Sequence, residues 1–488
     1  MNNVEIKPYD QLNMQLSHSS GIEFLEYVSD KFADYVPNYY FMPKYQSGSW
    51  DGKIRFFHNY NRTLPYGLLF DYIKVHKKYF KTLDNLSVDP FIKDYFTGID
   101  LDNLDFEWDL KFVPYWYQEE AIRTALKYKK GLLRIPTGSG KSIVQAYIFK
   151  ILLENNYVEK PVIIVPSTTL IQQFYYDLID YGFSEETLGV YYGKKKELDK
   201  TLTISTWQSL INFSYEALQD FDSIFVDEVH TGKAAKVNEL LRNMDTQEWR
   251  LGCTGTLPSA NTDLWSIKGY SGPILRSYSA SELEGYISKC TVNMIQVHYK
   301  SSYTNFESFD DAKKTIFKDP FRINLIKQLI NSKDESFMIL VGMVEEEGQY
   351  LKDRLEESFT DKEIVFISGK TPVEDRDYWR LECDKRNDLI LIATYGVFQQ
   401  GINIKSLKNI IFAAPFKAEI KILQSIGRSL RQHSSKLKDG SQVYDIIDMT
   451  QYFEKQSNTR KKHYDMEGFN ILNFEANERN NTFMKSVN

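Results

Sequence analysis

The chain has 488 residues, of which 42% are hydrophobic and 26% charged, and its formal net charge is −6. At roughly 100–200 residues per domain this length predicts about three domains of an ordinary globular protein and excludes a single small binding module. The acidic total excludes a wholesale basic coat protein and leans against a nucleic-acid partner, because phosphate binding runs on Lys and Arg.

Residues 1–105 are aromatic and irregular, with the turn signals SGSWDGK and NRTLPYG, and predict a small α+β domain. Within them, residues 41–81 reverse the overall charge. Lys44, Lys53, Arg55, Arg62, Lys74, Lys77, Lys78 and Lys81 face only Asp51 and Asp71, a local balance of +6. Eleven aromatic residues interleave with these cations, among them Tyr45, Trp50, Phe56, Phe57 and Tyr66. Basic groups for phosphates and ring faces for stacking are the footprint of nucleic-acid binding, which singles out Lys53 and Arg55. The same aromatics have an alternative use as the core of the small domain.

From Leu132 onward, short β-branched runs alternate with segments of helical period: LLRI, PVIIVP, TLTIST and SIFVDE, then FMILVG, EIVFIS, DLILIAT, NIIFAAP and VYDIID. Such alternation predicts buried parallel sheets in βαβ units. Nine strands are too many for one comfortable sheet, so the expectation is two doubly wound domains, residues 106–295 and 296–452. Residues 453–488 read as a basic turn followed by a short helical tail.

The first run leads into PTGSGKS. Gly138 and Gly140 allow backbone N–H groups to curl round phosphate oxygens, with Thr137 and Ser139 in the same loop. Lys141 brings charge to the β- and γ-phosphates, and Ser142 offers a hydroxyl to Mg²⁺. Ile135 stands where the general pattern of this loop has its first glycine. The run SIFVDEVH ends on Asp227 and Glu228, and carboxylates at the C-terminal end of a parallel strand sit where ligands bind. Asp227 is placed to hold Mg²⁺ and Glu228 to deprotonate an attacking water, so hydrolysis of a nucleoside triphosphate is expected.

Further segments stand in order around these two. FVPYWYQEEAI carries Gln118, with Tyr115 or Trp116 beside it. VPSTTLIQQF carries Ser167 and Thr168, TISTWQSL carries Thr206, and LGCTGTL carries Thr254 and Thr256. ATYGVFQQGINI carries Thr394, Gly401 and Asn403, and LQSIGRSLR carries Gln424, Arg428 and Arg431. In this order the set resembles the superfamily 2 helicases, the DEAD/DExH-like motors. The resemblance implies two RecA-like motor domains, ATP as cofactor with Gln118 reading adenine and Gly401 near the nucleotide, and nucleic-acid contacts from Ser167, Thr168, Thr206 and Thr394. Arg428 and Arg431 lie three apart on one helical side, and a guanidinium stabilises the charge of a phosphoryl-transfer transition state. Because they belong to the second domain, their use requires domain closure, which would couple ATP to movement.

The stretch FMPKYQSGSWDGKIRFFHNYNRTLPYGLL, together with TGKA after DEVH and the ending FMKSVN, is similar to the recombination helicases of T-even phages. This narrower resemblance implies action on branched DNA: Holliday-junction and fork migration and R-loop unwinding in recombination, repair and replication, alongside other phage proteins of those processes. Two rivals share the motifs, an RNA helicase or XPB-like repair translocase, and an ATP-gated DNA clamp that does not move. DEVH, TGT and Asn403 depart from the commonest forms of their motifs.

Cys253, Cys290 and Cys383 are too widely spaced for a C-x-x-C pair and too few for a disulfide framework, which fits a reducing compartment. The start MNNVEIKPYD has no apolar leader core, and no apolar run approaches the roughly 18 residues of a membrane span. The expected location is the cytoplasm, that of the host if the source is a phage.

Overall fold

The computed structural model describes residues 3–18, 22–103, 107–136, 138–230, 234–258, 260–286, 289–300, 306–400, 407–414, 440–450, 453–467 and 469–486. They group into two compact units: Met1–Ile135 with Gly140–Ser277, and Tyr278–Asn488 with Pro136–Ser139.

The first unit opens with a small α+β domain. Strands β1 (Val4–Pro8) and β2 (Asn13–His18) form an antiparallel pair, β3 (Ala33–Tyr35) and β4 (Lys53–Arg55) form a separate ribbon, and β5 (Thr63–Pro65) and β6 (Leu86–Val88) flank the first pair in the order β5-β2-β1-β6. Strand alternation puts Val4, Ile6, Met14 and Leu16 on one face. There they bury against Phe24 and Val28 of helix α1 (Ile22–Lys31). Beyond the short α2 (Pro43–Gln46), α3 (Leu69–Phe80) adds Leu69 and Tyr72 to the same core and α4 (Pro90–Phe96) adds Ile92 and Phe96.

Eight strands then make a sheet: β7 (Lys130–Arg134), β8 (Pro161–Val165), β9 (Leu188–Tyr192), β10 (Lys195–Lys196), β11 (Leu202–Thr206), β12 (Ser223–Asp227), β13 (Trp249–Thr254) and β14 (Ile274–Ser277). Their order is β10-β9-β11-β8-β12-β13-β7-β14, parallel except at β10. Every residue of β8, β11 and β13 is buried, as a parallel sheet covered on both faces requires. The accompanying helices are α5 (Trp116–Lys127), α6 (Lys141–Glu154), α7 (Thr168–Tyr181), α8 (Trp207–Leu210), α9 (Tyr215–Gln219), α10 (Ala234–Asn243) and α11 (Asn261–Ser271).

Helix α11 is where the small domain is fastened. Trp265 lies 5.8 Å, centroid to centroid, from both Phe32 and Phe56. Lys268 pairs with Asp71, and Asn261 Nδ2 donates to Asp34 Oδ2 at 2.7 Å. At Gly67 a Cβ would stand 1.7 Å from the carbonyl oxygen of Lys268, so only glycine lets the two backbones meet.

The second unit holds β15 (Cys290–His298), β16 (Phe337–Val341), β17 (Glu363–Ile367), β18 (Leu389–Thr394), β19 (Asn409–Phe412), β20 (Ser441–Asp448), β21 (Asn470–Asn477) and β22 (Thr482–Ser486). The order is β17-β18-β16-β19-β20-β15-β21-β22, parallel except for the last pair. Helices α12 (Phe309–Phe317), α13 (Pro320–Asn331), α14 (Tyr350–Glu356), α15 (Val373–Lys385), α16 (Tyr395–Gln400) and α17 (Glu454–Glu467) lie among its described residues. The fold is thus α/β, two doubly wound parallel-sheet domains behind a small α+β domain.

Two expectations change in detail. The second unit begins at Tyr278, and residue 295 falls inside β15, whose polar Asn293 and Gln296 had disguised a strand of nine residues. The segment after residue 452 is helical only over Glu454–Glu467; β21 and β22 extend the sheet beside β15. Asp445 explains how this segment is held, and Asp448 anchors residues before it. Three positions apart on β20, they face opposite sides of the strand. Arg460 of α17 grips Asp445 through Nε and Nη2 (2.8 and 3.0 Å), and Tyr464 donates to the same carboxylate at 2.9 Å. Arg322 of α13 donates Nε to Asp448 at 2.9 Å, where Tyr299 also donates at 2.5 Å.

Arg322 and Asp448 are both fully buried. Replacing one partner leaves the other charge uncompensated, so Arg322→Met should cost about 3–5 kcal/mol. A urea titration of Arg322→Met against the double variant Arg322→Met/Asp448→Leu checks this, the double variant recovering most of the loss.

Candidate active site

The geometry begins at the C-terminal end of β7. Ile135 N–H donates to Thr254 O at 2.9 Å, prolonging the ladder with β13, and the chain then turns, with Ser139 Oγ donating to Pro136 O at 2.5 Å. Gly138 and Gly140 lie at φ +86° and +79°, the left-handed region. Gly140 precedes α6 and no side chain caps that helix, so the first-turn N–H groups and the positive end of the helix dipole are left for an anion. A Cβ at Gly140 would lie 2.5 Å from Gln118 Nε2. Gln118 is fixed in that place because its Oε1 accepts from Tyr115 N–H at 2.8 Å, closing the first turn of α5, while Nε2 donates to the Tyr117 hydroxyl at 3.3 Å.

Lys141 Nζ pairs with Glu228 Oε1 at 2.8 Å, both side chains being largely buried. In a regular strand Asp227 and Glu228 would face opposite ways. Glu228 instead sits at φ +46°, which breaks the alternation, and the charges of both carboxylates act on Lys141 and raise its pKa despite burial. Burial alone would raise Glu228, but the charges of Lys141 and His230, with hydrogen bonds from Lys141 and the Gly255 amide, hold it well below the usual carboxylate range. Asp227 goes the other way: burial and then the neighbouring Glu228 charge push it up, although Gln145 Nε2 donates to its Oδ1 at 2.9 Å.

Strand β13 lies between β7 and β12, with Cys253 in register with both Leu133 and Asp227. Its end is therefore threaded through the site. Gly255 N–H donates to Glu228 Oε2 at 3.3 Å. The Thr254 hydroxyl gives its one proton to Thr256 O at 2.6 Å, so it must accept from His230 Nδ1, 2.5 Å away. His230 Nδ1 therefore carries a hydrogen, and burial lowers the pKa of the ring. Ser142 Oγ shares a proton with the Tyr181 hydroxyl at 2.7 Å.

The other residues expected from sequence are spread more widely. Ser167 caps α7, accepting from Leu170 N–H at 3.4 Å, and Thr168 is exposed in its first turn. Thr206 is buried with its hydroxyl 3.1 Å from Ser209 Oγ. Thr394 is buried at the end of β18. Lys53 lies over the Tyr35 ring, and Arg55 is paired with Asp51 at 2.5 Å, which draws the Asp51 carboxyl down to about 2. Of the two aromatic residues beside Gln118, Trp116 lines an open cavity of about 340 Å³ on α5 with Leu101, Glu119, Arg123 and Lys127. Thr137, Gly401, Asn403, Gln424, Arg428 and Arg431 lie outside the described residues. Sequence reading missed Gln145, His230, Gly255 and Tyr181. Gln145 stands one helical turn after Lys141 and was findable by that spacing; nothing in the sequence marks Tyr181.

The family described as "DNA helicase UvsW, N-terminal" matches residues 3–88, "Type III restriction enzyme, res subunit" matches 111–259, and "Helicase conserved C-terminal domain" matches 322–433. A fragment structure of an HsdR subunit of a type I restriction enzyme from Vibrio vulnificus YJ016 shares the fold, with TM-score 0.57 and 16% identity over 78% of this chain and 71% of that one. Fold and site together define an ATP-hydrolysing helicase of superfamily 2. Among individual proteins, the chain is similar to the ATP-dependent DNA helicase uvsW of Enterobacteria phage T4, 29% identical over 494 residues, which cover 94% of this chain and 95% of the relative. A DNA 3'-5' translocase XPB2 of Sulfurisphaera tokodaii is 26% identical over 65% of this chain and 78% of its own.

Glu228→Gln keeps the acceptor for Gly255 but removes the carboxylate expected to act as base, and turnover should fall by about 10²–10⁴-fold while nucleotide still binds; steady-state ATPase and fluorescent-nucleotide titration check both halves. Asp227 carries a raised pKa, so between its ordinary and its raised value the folded protein holds a proton that the unfolded chain has lost. That stabilisation is present at low pH and lost as pH rises through the raised pKa. A divalent cation binding Asp227 should expel the proton. Calorimetry in buffers of different ionisation enthalpy should detect its release in mildly acidic solution and none in mildly alkaline solution.

Proposed function

We propose that this protein is an ATP-dependent DNA helicase and translocase acting on branched DNA: it migrates Holliday junctions and forks and unwinds R-loops in phage recombination, repair and replication. The observation that carries this reading is the buried Lys141–Glu228 pair beneath an uncapped helix start, in a chain that matches a phage DNA helicase over nearly all its length. In this reading residues 1–105 engage DNA with Lys53 and Arg55, aided by Ser167 and Thr168 at the start of α7. The parallel-sheet domain ending at Ser277 binds and hydrolyses ATP, and the unit from Tyr278 onward adds Thr394, Gly401, Gln424, Arg428 and Arg431. No helix among the described residues is long and apolar enough to cross a membrane; the likeness to a phage helicase supports placing the protein in the host cytoplasm.

The donor set fits a nucleoside triphosphate with Mg²⁺. Ser142 and Asp227 offer the oxygen ligands a hard cation takes, and Gly138, Gly140 and the first turn of α6 offer N–H groups to phosphate. Bound there, Mg²⁺ would neutralise phosphate charge. Lys141 has one ammonium for two anionic partners. When it turns from Glu228 to phosphate, Glu228 loses the charge that held its pKa down and becomes a stronger base, able to take a proton from water. Base and substrate are thereby linked through one side chain.

The likeness to an archaeal XPB2 translocase favours a second reading, tracking along duplex DNA without branch preference. ATPase assays with a four-way junction, a fork, an R-loop, blunt duplex and single-stranded RNA at one salt concentration separate these readings. Greatest stimulation by junction and fork supports the first, equal stimulation by plain duplex the second, and stimulation by RNA alone overturns both. Lys141→Ala should abolish turnover and leave junction binding largely intact; retained binding without any stimulation in the unsubstituted protein would instead mark an ATP-gated clamp.

A further inference from the structure

The small domain contains a second group of rings that its core does not use. Tyr35, Tyr39, Tyr40, Phe41 and Tyr45 stand outside the buried cluster of Phe24, Phe32, Phe57, Tyr66 and Tyr72. They touch one another instead. Tyr35 stacks on Tyr39 with centroids 4.5 Å apart and planes at 25°, Tyr45 and Tyr40 meet Tyr39 edge-on at 4.7 and 5.6 Å, and Phe41 lies 4.5 Å from Tyr40. Tyr40 is 51% and Phe41 70% exposed. Contiguous exposed rings of this kind mark an interaction surface, since folding alone gains nothing by keeping them in water.

The group is held rigid. Tyr39 N–H donates to Val36 O and Phe41 N–H to Asn38 O, both at 3.0 Å, around Asn38 at φ +61°. Val36 N–H donates to Gly52 O at 2.9 Å and Trp50 Nε1 to Lys53 O at 2.8 Å, joining the segment to β4. A Cβ at Gly52 would lie 2.5 Å from Tyr39 Cδ2, so the glycine makes room for the central ring. At its base, Asp34 of β3 and Phe56 just beyond β4 rest on Asn261 and Trp265 of α11.

Charge selects the partner. From Tyr35 to Arg62 the chain carries Lys44, Lys53, Arg55 and Arg62 against the single acid Asp51, which Arg55 already occupies. Lys53 Nζ lies 4.9 Å from the Tyr35 ring centre. Flat rings beside cations fit bases joined by phosphates, whereas an acidic protein partner would leave the ring faces without planar groups to meet. In duplex DNA the base faces are already stacked on each other, so only unpaired nucleotides offer them.

We propose that the Tyr35–Tyr45 aromatic group is a stacking platform for unpaired nucleotides at the branch of the substrate. This rests on the nucleic-acid reading above and adds the site and the form of strand it takes. The test uses the full chain with Tyr40→Ala/Phe41→Ala and, to keep apolar bulk without a ring, Tyr40→Leu/Phe41→Leu. Anisotropy titrations compare a labelled fork with unpaired arms and a blunt duplex across a salt series. Both variants should bind the fork about tenfold or more weakly, keep blunt-duplex affinity, and keep the salt slope, because no phosphate contact is lost. Unchanged fork affinity overturns the platform, as does an equal loss on blunt duplex or full retention by the Leu variant. Association with another protein that is lost in the variants while fork binding persists would assign the surface to that protein. If the unsubstituted protein binds no nucleic acid, the broader reading falls first.

Discussion

One buried ammonium facing two consecutive buried carboxylates is the constraint around which the first unit is arranged. Two carboxylates cannot both stay ionised out of water without a compensating charge, so Lys141 must stand opposite Asp227 and Glu228 in the folded state. That demand fixes the strand carrying the loop and the strand carrying the acids within one side chain's reach, with β13 alone between them. It also accords with the left-handed backbone at Glu228 and with the end of β13, where the Gly255 amide donates to the Glu228 oxygen that Lys141 does not take. Any ligand that attracts Lys141 must disturb this balance, and the disturbance reaches His230 and β13 through hydrogen bonds already made.

The second unit solves a related problem by division. Asp445 and Asp448 are separated onto the two faces of β20, each with its own Arg and Tyr, so neither shares a counter-charge with the other. These pairs secure helices to both faces of the sheet. In the first unit the acids are adjacent and underpaired, a poor way to build a core and a good way to keep a site responsive.

Much of this was legible in the sequence because parallel strands buried on both faces write themselves as unbroken apolar runs; all nine runs from LLRI to VYDIID are strands. Two of the strands that escaped bury polar groups. In β13, Arg250 interrupts the run, yet it is buried with its guanidinium on Leu241 O and Tyr270 O. In β15, Asn293 bonds Gln442 across the sheet. The loop glycines, Lys141, Asp227 and Glu228 were readable because their chemistry demands those residue types. Tyr181 was not: whether a hydroxyl points to a ligand or to a neighbour depends on packing, and no local pattern encodes it. Of the aromatics, Phe57 and Tyr66 went to the core while Tyr40 and Phe41 stayed outside, a division that periodicity in so irregular a segment could not make.

The seam along α11 has a consequence for descent. Gly67 tolerates no side chain because the backbone of Lys268 lies against it, and Asp71, Asp34 and Phe32 are matched to Lys268, Asn261 and Trp265 in a helix 197 or more positions downstream. A gene exchange that swapped only the first hundred codons would bring in a front end with no seat. Front and motor must therefore be inherited together or be refitted residue by residue, and new substrate preferences would arise more readily by altering exposed rings than by trading whole modules.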